Sequence, residues 1–395
     1  MRYVNSNGNV NYNDCDYDKG VRPFWWKVKR VGITPKLVPH YQKNKQPFRK
    51  DKHKGVPMFE KVADFKNLYV AYKKSAPGKS YTGSKAKFQT TALDGIYQLR
   101  QQLINKTYTV AEYNEFTVYD PKERIIKACS FKDKIVQHSL CDNILMPLLS
   151  KHFILDNYAG QIGKGTLFGL NRLKEQMLLA HSKYGQNCWI LKADISKFFY
   201  SIDHDTLKDM VGYFVNDSEV CWLCEKFIDS TDGVGIPLGN QISQAFALLY
   251  LDGMDKFICG ELGVEYYGRY MDDFFLIHPN KQYLKECLEA INNFTASLGL
   301  SLNSKTQIMP FKNGIKFCGF HTYITSGGKA IRKLKNESKR AAQKKFRRMA
   351  LLVKGGKLDR DVFEESYRAW KNHASHGNCI KLVRNMDIMV KEIIG

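Results

Sequence analysis

The tightest constraint on this chain is a pair of adjacent aspartates inside an apolar hairpin. Val264 to Ile277 reads as two strands whose turn falls at Met271-Asp272-Asp273. Burying neighbouring carboxylates there is costly unless a cation joins them. Upstream, residues 188–195 (Cys-Trp-Ile-Leu-Lys-Ala-Asp-Ile) form an apolar run that reads as a buried strand ending near Asp194. A carboxylate at the end of that neighbouring strand would complete a cage for two divalent cations. Mg²⁺ takes hard oxygen ligands and shares them with substrate phosphates. Two such ions, about 3.5–4 Å apart, stabilise the attacking and leaving oxygens of an in-line phosphoryl transfer. One would lower the pKa of a primer 3′-OH and the other would hold triphosphate and pyrophosphate, with Mn²⁺ as a substitute metal. A solvated Asp-Asp turn is the plainer reading, and the apolar flanks weigh against it.

Charge supports a polyanionic partner. The 395 residues carry a formal +22, which on a globular chain points to nucleic acid. The excess is segregated: +15 over residues 21–90 and +11 over residues 326–395, around a nearly neutral middle that holds the acidic residues. With 44% hydrophobic residues the chain can build a core, which excludes wholesale disorder. No apolar stretch approaches the roughly 20 residues needed to span a membrane, and the start has no signal-peptide core, so a cytoplasmic location with no membrane partner is expected. The single close cysteine pair, Cys221 and Cys224, has no second pair to complete a zinc site, and core packing is the expected role.

Along the chain, residues 1–25 form an asparagine-rich extension and 26–187 a basic, then helical, region. Residues 188–325 hold the aspartate-bearing strands, and 326–395 are basic and helical. Among the basic residues of 21–90 stand Phe24, Trp25, Trp26, Tyr41, Phe48, Phe59, Phe65, Tyr69 and Tyr72. These rings either stack on bases or form the core of a small subdomain. Apolar spacing predicts helices over Gln241 to Ile258 and over 281–298, a strand near 315–320, and a strongly basic helix from Lys329 to Lys354. His373 and His376 lack carboxylate or cysteine companions, so a surface or RNA contact is expected before a metal site.

Taken together, these residues resemble reverse transcriptases, in order, over roughly residues 90–375. Tyr270-Met-Asp272-Asp273 matches the family's catalytic box, Asp194 its first catalytic aspartate, and Phe199 the steric gate that rejects a ribose 2′-OH. Arg124-Ile-Ile-Lys-Ala-Cys-Ser-Phe-Lys-Asp-Lys134 resembles the segment that holds the incoming triphosphate, which gives Arg124 and Lys134 phosphate-binding roles. Tyr158-Ala-Gly-Gln-Ile-Gly-Lys-Gly-Thr166 resembles the next block, Lys305 the lysine that protonates pyrophosphate, and Phe317-Cys-Gly-Phe320 the primer grip. The resemblance implies an α+β right-hand polymerase: fingers to 187, a palm of antiparallel sheet backed by helices over 188–325, and an α-helical thumb beyond. It also implies metal ligands at Asp194, Ile195, Asp272 and Asp273, substrate contacts at Tyr270, Leu238, Gly239 and Gln244, and dNTPs, template RNA and primer or cDNA as partners. Neither an RNase H nor an endonuclease region is read.

Within the family, Gly235-Ile-Pro-Leu238-Gly239-Asn-Gln-Ile-Ser243-Gln244 departs from intron-type enzymes, which usually carry Gln at the Leu238 position and Ser-Pro at the end. Here the segment resembles the enzymes of diversity-generating retroelements, which copy a template repeat with errors at adenines. Asn5-Ser-Asn-Gly-Asn-Val-Asn-Tyr-Asn13 with Gly20-Val-Arg-Pro23 resembles the end of a variable segment in the targets of such elements, and a plain disordered tail is the alternative. The resemblance further implies a basic, oligomeric accessory variability protein. The rivals are a phage-defence reverse transcriptase of retron or abortive-infection type, and an RNA-binding, maturase-like scaffold.

Overall fold

Strand alternation explains how the central sheet is covered on both sides in this computed structural model, which describes residues 57–76, 83–119 and 123–395. Among the described residues the strands form three antiparallel sheets. A ribbon pairs β1 (Asn114–Tyr119) with β2 (Glu123–Ala128). The central sheet is built from β3 (Trp189–Asp194), β4 (Tyr266–Tyr270), β5 (Asp273–His278) and β6 (Gln307–Pro310), in the order β4-β5-β3-β6. A third sheet joins β7 (Ile315–Phe317), β8 (Phe320–Ile324) and β9 (Ala330–Leu334).

Successive side chains of a strand point to opposite faces. Leu191, Ala193, Phe274 and Leu276 therefore pack one way, with helices Gln241–Tyr250 and Lys281–Ser297, through Ile242, Phe246, Leu249, Leu284 and Ile291. Ile190, Phe275 and Ile277 pack the other way, onto helix Thr166–Tyr184 and the third sheet, through Leu173, Met177, Ile315 and Phe317. Burying each large apolar side chain contributes roughly 1.5–3 kcal/mol, so these strand ends sit on a stiff platform. The expected α+β class, antiparallel sheet backed by helices, is what the chain adopts. Of the aromatic residues in the basic segment, Phe59 and Tyr72 are buried in the core beside the central sheet. Phe24, Trp25, Trp26, Tyr41 and Phe48 lie outside the described residues, as does the asparagine-rich extension 1–25.

Three element boundaries differ from expectation. The strand near 315–320 is a hairpin, β7 and β8, turning at Cys318 and Gly319, whose φ values are +44° and +85°. The basic helix begins at Asn336, not Lys329. Residues 330–334 instead form β9, because the open edge of β8 offers backbone partners and Arg332 and Leu334 find buried positions there. The helix expected over Gln241 to Ile258 breaks after Tyr250 and resumes at Asp252–Lys256, followed by a wide π turn at Phe257–Glu261. The chain ends in helices Asn336–Lys354, Arg360–Ala374 and Ile380–Ile394, packed around Phe346, Phe363, Tyr367 and Met386. Lys344, Lys345, Arg347 and Arg348 point to solvent from the first of them.

Candidate active site

The antiparallel register delivers the aspartates to one end of the central sheet. Asp194, the last residue of β3, pairs with Asp273, the first of β5. Asp272 shares a two-residue turn with Met271, so Asp273 belongs to the strand and not to the turn. The Ile195 amide donates to the Asp272 carbonyl at 3.3 Å, and the buried Ile195 bridges Leu302 on its other side.

Asp194 and Asp272 meet through their carboxyl groups. Burial, and then the Asp194 charge, push the Asp272 carboxyl up to about 6. A negative charge placed beside another acid is repelled, and a bound cation would relieve that repulsion. Asp273 instead contacts the ammonium of Lys192, which burial draws down to about 7 against the opposing pull of Asp194 and Asp272. Among the described residues, therefore, no three His, Cys, Asp or Glu side chains stand together as a metal-ligand group. The facing Asp194–Asp272 oxygens still fit a hard divalent cation, because Mg²⁺ needs only one or two carboxylates when phosphates complete its shell.

Asn303 also supports the site, a residue that no sequence motif singled out. The Asn303 side-chain amide donates to Asp194 Oδ2 at 3.1 Å and its backbone N–H to the Asp194 carbonyl at 2.7 Å. Asn303 Oδ1 accepts from the Lys305 N–H at 3.0 Å, which ties the exposed Lys305 to the same corner. Only the constraint of an aspartate-bearing strand end beside Leu302-Asn-Ser-Lys305 could have flagged Asn303 in advance. Lys192, two residues before Asp194, was visible in the motif but carried no signal of its role.

The remaining predicted residues fall into two groups. Phe199, half-buried against Phe198, follows β3, and its carbonyl accepts from the Ile236 N–H at 2.7 Å. That bond holds the loop that continues to Leu238 and Gly239. Gly235 has a φ of +90°, and a Cβ there would come within 3.0 Å of the Tyr200 backbone, so only glycine fits. The Leu238 carbonyl accepts from the Lys127 N–H of β2 at 3.3 Å, and Gly239 (φ +109°) lies under Ile126. The ribbon that carries Arg124 is thus docked on the Leu238–Gly239 loop. Arg124, Lys134 and Gln244 are exposed, and Tyr270 is half-buried at the end of β4.

Other candidates take structural positions. Cys224 is buried and Cys221 half-buried on helix Ser218–Ile228, both as free thiols. His373 packs against the Phe320 ring at 5.0 Å, and burial holds its pKa below the ordinary imidazole value. Among the described residues no helix is long and apolar enough to cross a membrane.

Residues 119–322 match the family described as reverse transcriptase (RNA-dependent DNA polymerase). The COX1/OXI3 intron 2 protein of Saccharomyces cerevisiae is 22% identical over 344 residues, covering 67% of this chain and 38% of the relative. The chain thus spans well under half the length of that curated relative. Among solved structures, telomerase from Candida albicans, in complex with a TWJ fragment of telomeric RNA, aligns with a TM-score of 0.46 at 14% identity, over 71% of this chain and 55% of that one. With the family match spanning more than half of its residues, and its antiparallel α+β architecture that of a right-hand polymerase, the chain belongs to the reverse transcriptase family.

Proposed function

We propose that this chain copies an RNA template into cDNA, as the reverse transcriptase of a diversity-generating retroelement. The observation that carries the polymerase reading is that the strand register sets Asp194 against Asp273, with the Asp272 carbonyl hydrogen-bonded to the next residue, Ile195, so that three carboxylates lie at one end of the central sheet. In this reading Asp194, Asp272, the Ile195 carbonyl and Asp273, which now contacts Lys192, would hold Mg²⁺. Bound there, the metal supplies activation of the primer 3′-OH and charge neutralisation of the triphosphate.

The chain's own residues do the rest. Arg124 and Lys134 grip phosphate oxygens, Arg124 as a planar fork. Phe199 closes on the sugar and excludes a 2′-OH, and Tyr270 and Gln244 line the primer side. Lys305, anchored through Asn303 beside Asp194, gives a proton to the departing pyrophosphate. We assign the basic N-terminal region and fingers to residues 26–187, with the fingers from about residue 60, the palm to 188–325 and the thumb to 326–395. The exposed cations of the thumb helix hold the duplex through phosphate contacts that weaken with salt.

The subtype rests on Leu238 and on Ser243-Gln244. An aliphatic side chain beside the nascent pair offers it no hydrogen bond, which relaxes discrimination at template adenine. A basic accessory protein on the same RNA, a cytoplasmic setting, and residues 1–23 as a coding overlap with the template repeat complete this reading. The intron-encoded relative favours a second reading, a maturase-like scaffold that binds RNA.

Primer extension on a mixed-sequence RNA with Mg²⁺ and four dNTPs, followed by sequencing, tests both. Errors concentrated opposite template adenine, and reduced by Leu238→Gln, are expected. Accurate cDNA would remove the retroelement subtype. No cDNA even with native RNA and accessory protein would leave the scaffold.

A further inference from the structure

We propose that Arg269 is the positioning residue of the catalytic turn: clamped by Asp255, its buried guanidinium holds the Met271 carbonyl and so sets where Asp272 presents its carboxylate. This inference rests on the reading of Asp272 as a metal ligand.

Arg269 lies in β4, and its side chain and that of Asp255 are both fully buried. Its Nε donates to Asp255 Oδ1 at 2.6 Å and its Nη2 to Oδ2 at 2.5 Å, a bidentate pair. The Tyr267 hydroxyl donates to the same Oδ1 at 2.6 Å. The remaining arm, Nη1, donates to the Met271 carbonyl at 2.8 Å. The Arg269 backbone is fixed as well: its N–H donates to the Asp156 carbonyl at 2.9 Å, and its carbonyl accepts from the Tyr158 N–H at 2.9 Å. The clamp therefore has no slack on either side.

Two physical points turn this clamp into a positioning device. Met271 sits at φ +55°, a left-handed conformation that a non-glycine residue keeps only when its surroundings impose it. Its carbonyl belongs to the planar peptide that continues into Asp272, so holding that oxygen fixes the plane from which the Asp272 side chain departs. A buried ion pair, moreover, adds little net stability, because desolvation offsets its attraction, and well-packed apolar residues often replace it without loss. Apolar residues would fill the same space, yet none could hold the Met271 carbonyl. Stability and position can thus be separated experimentally.

The test uses the full chain in three forms. The triple variant Asp255→Leu/Tyr267→Phe/Arg269→Met removes the polar cluster and keeps the packing. Arg269→Lys keeps the charge and loses the fork, and Asp272→Ala serves as control. Mn²⁺ binding by electron paramagnetic resonance, thermal melting and steady-state kinetics are read on each. The triple variant should melt near the native temperature, yet bind Mn²⁺ about 10–100-fold more weakly, the range found when groups that orient metal ligands are removed. Its kcat should fall by a similar factor with the KM for dNTP unchanged, and Arg269→Lys should fall between. Should the triple variant fail to melt cooperatively, Arg269→Lys alone decides. Native Mn²⁺ affinity and native kcat in a folded Arg269 variant would overturn the inference while Asp272→Ala still loses both. If Asp272→Ala itself binds Mn²⁺ as the native chain does, the metal reading fails and takes the inference with it.

Discussion

The turn that carries Asp272 and the ribbon that carries Arg124 are both antiparallel hairpins, held by opposite means. In β4, four of five residues are buried, and Arg269 links three segments of chain through the Asp255, Met271 and Asp156 contacts. In β1 every residue is exposed. The ribbon's Glu115–Lys127 pair at 2.9 Å joins an exposed Glu to a half-buried Lys at the surface, the kind of contact worth at most about 1 kcal/mol. A backbone bond from Lys127 to Leu238 and the exposed Tyr200 hydroxyl, which donates to the Ile125 carbonyl at 3.3 Å, dock its outgoing strand. The contrast follows the task assigned to each. Carboxylates that must share a cation need fixed geometry before substrate arrives, whereas a strand that grips a changing triphosphate gains from freedom to adjust.

The largest expected effect lies at the rigid hairpin. Asp272→Asn and Asp194→Asn keep shape and lose charge, so each should lower primer extension by about a thousandfold or more, the scale of losing a preorganised charge-stabilising group. Neither should lower the melting temperature, because removing one acid from a close pair relieves repulsion. Activity and melting measured on the same preparations check this. A variant that loses stability along with activity would mean that the aspartates are structural, and the comparison would break.

The ribbon predicts the opposite signature. Arg124→Ala should raise the KM for dNTP about 10–100-fold, matching the 1.5–3 kcal/mol of a hydrogen bond to a charged group, and leave kcat within about twofold. Its melting temperature should not change, since Arg124 is solvent-exposed. A drop in kcat at unchanged KM would show that the ribbon, like the turn, acts on the transition state, and the two hairpins would no longer differ in kind.

How much of this was legible beforehand tracks the range of the interactions. The strands β3 and β5 were readable because four of the six residues in each are apolar and fall in short runs, and a strand buried on both faces has that appearance in sequence. The Asp272 turn followed from the same runs. The start of the basic helix was misplaced because Lys329–Leu334 shows no apolar excess, and only the free edge of β8 makes it a strand. Arg269, Asn303 and Lys192 were invisible as site residues for a deeper reason. Each acts through a partner distant in the chain or across the sheet: Asp255, Asp194 and Asp273 respectively. Spacing patterns report which face a residue takes, and a buried polar residue's partner is a property of the packed fold.

The smallest expected effect sharpens the comparison through pH. Asp252, buried beside the Arg269–Asp255 pair, accepts from the Lys256 ammonium at 2.6 Å. Burial nevertheless pushes its carboxyl up from the ordinary 3.8 to about 6, with Lys256 opposing the shift. The folded chain therefore holds this proton more tightly than the unfolded chain does. The resulting stabilisation is fully present below pH 3.8 and is lost as the pH rises through 6. Asp252→Asn cannot titrate. The stability of the native chain relative to this variant should thus decline between pH 4 and 6 and stay level above that window. Arg124→Ala, changed in the exposed ribbon, should track the native chain at every pH. Urea denaturation at a series of pH values reads both differences. Parallel curves for Asp252→Asn would mean that this carboxyl is solvated in the native ensemble, and that the layer behind the catalytic turn is as open as the ribbon it is contrasted with.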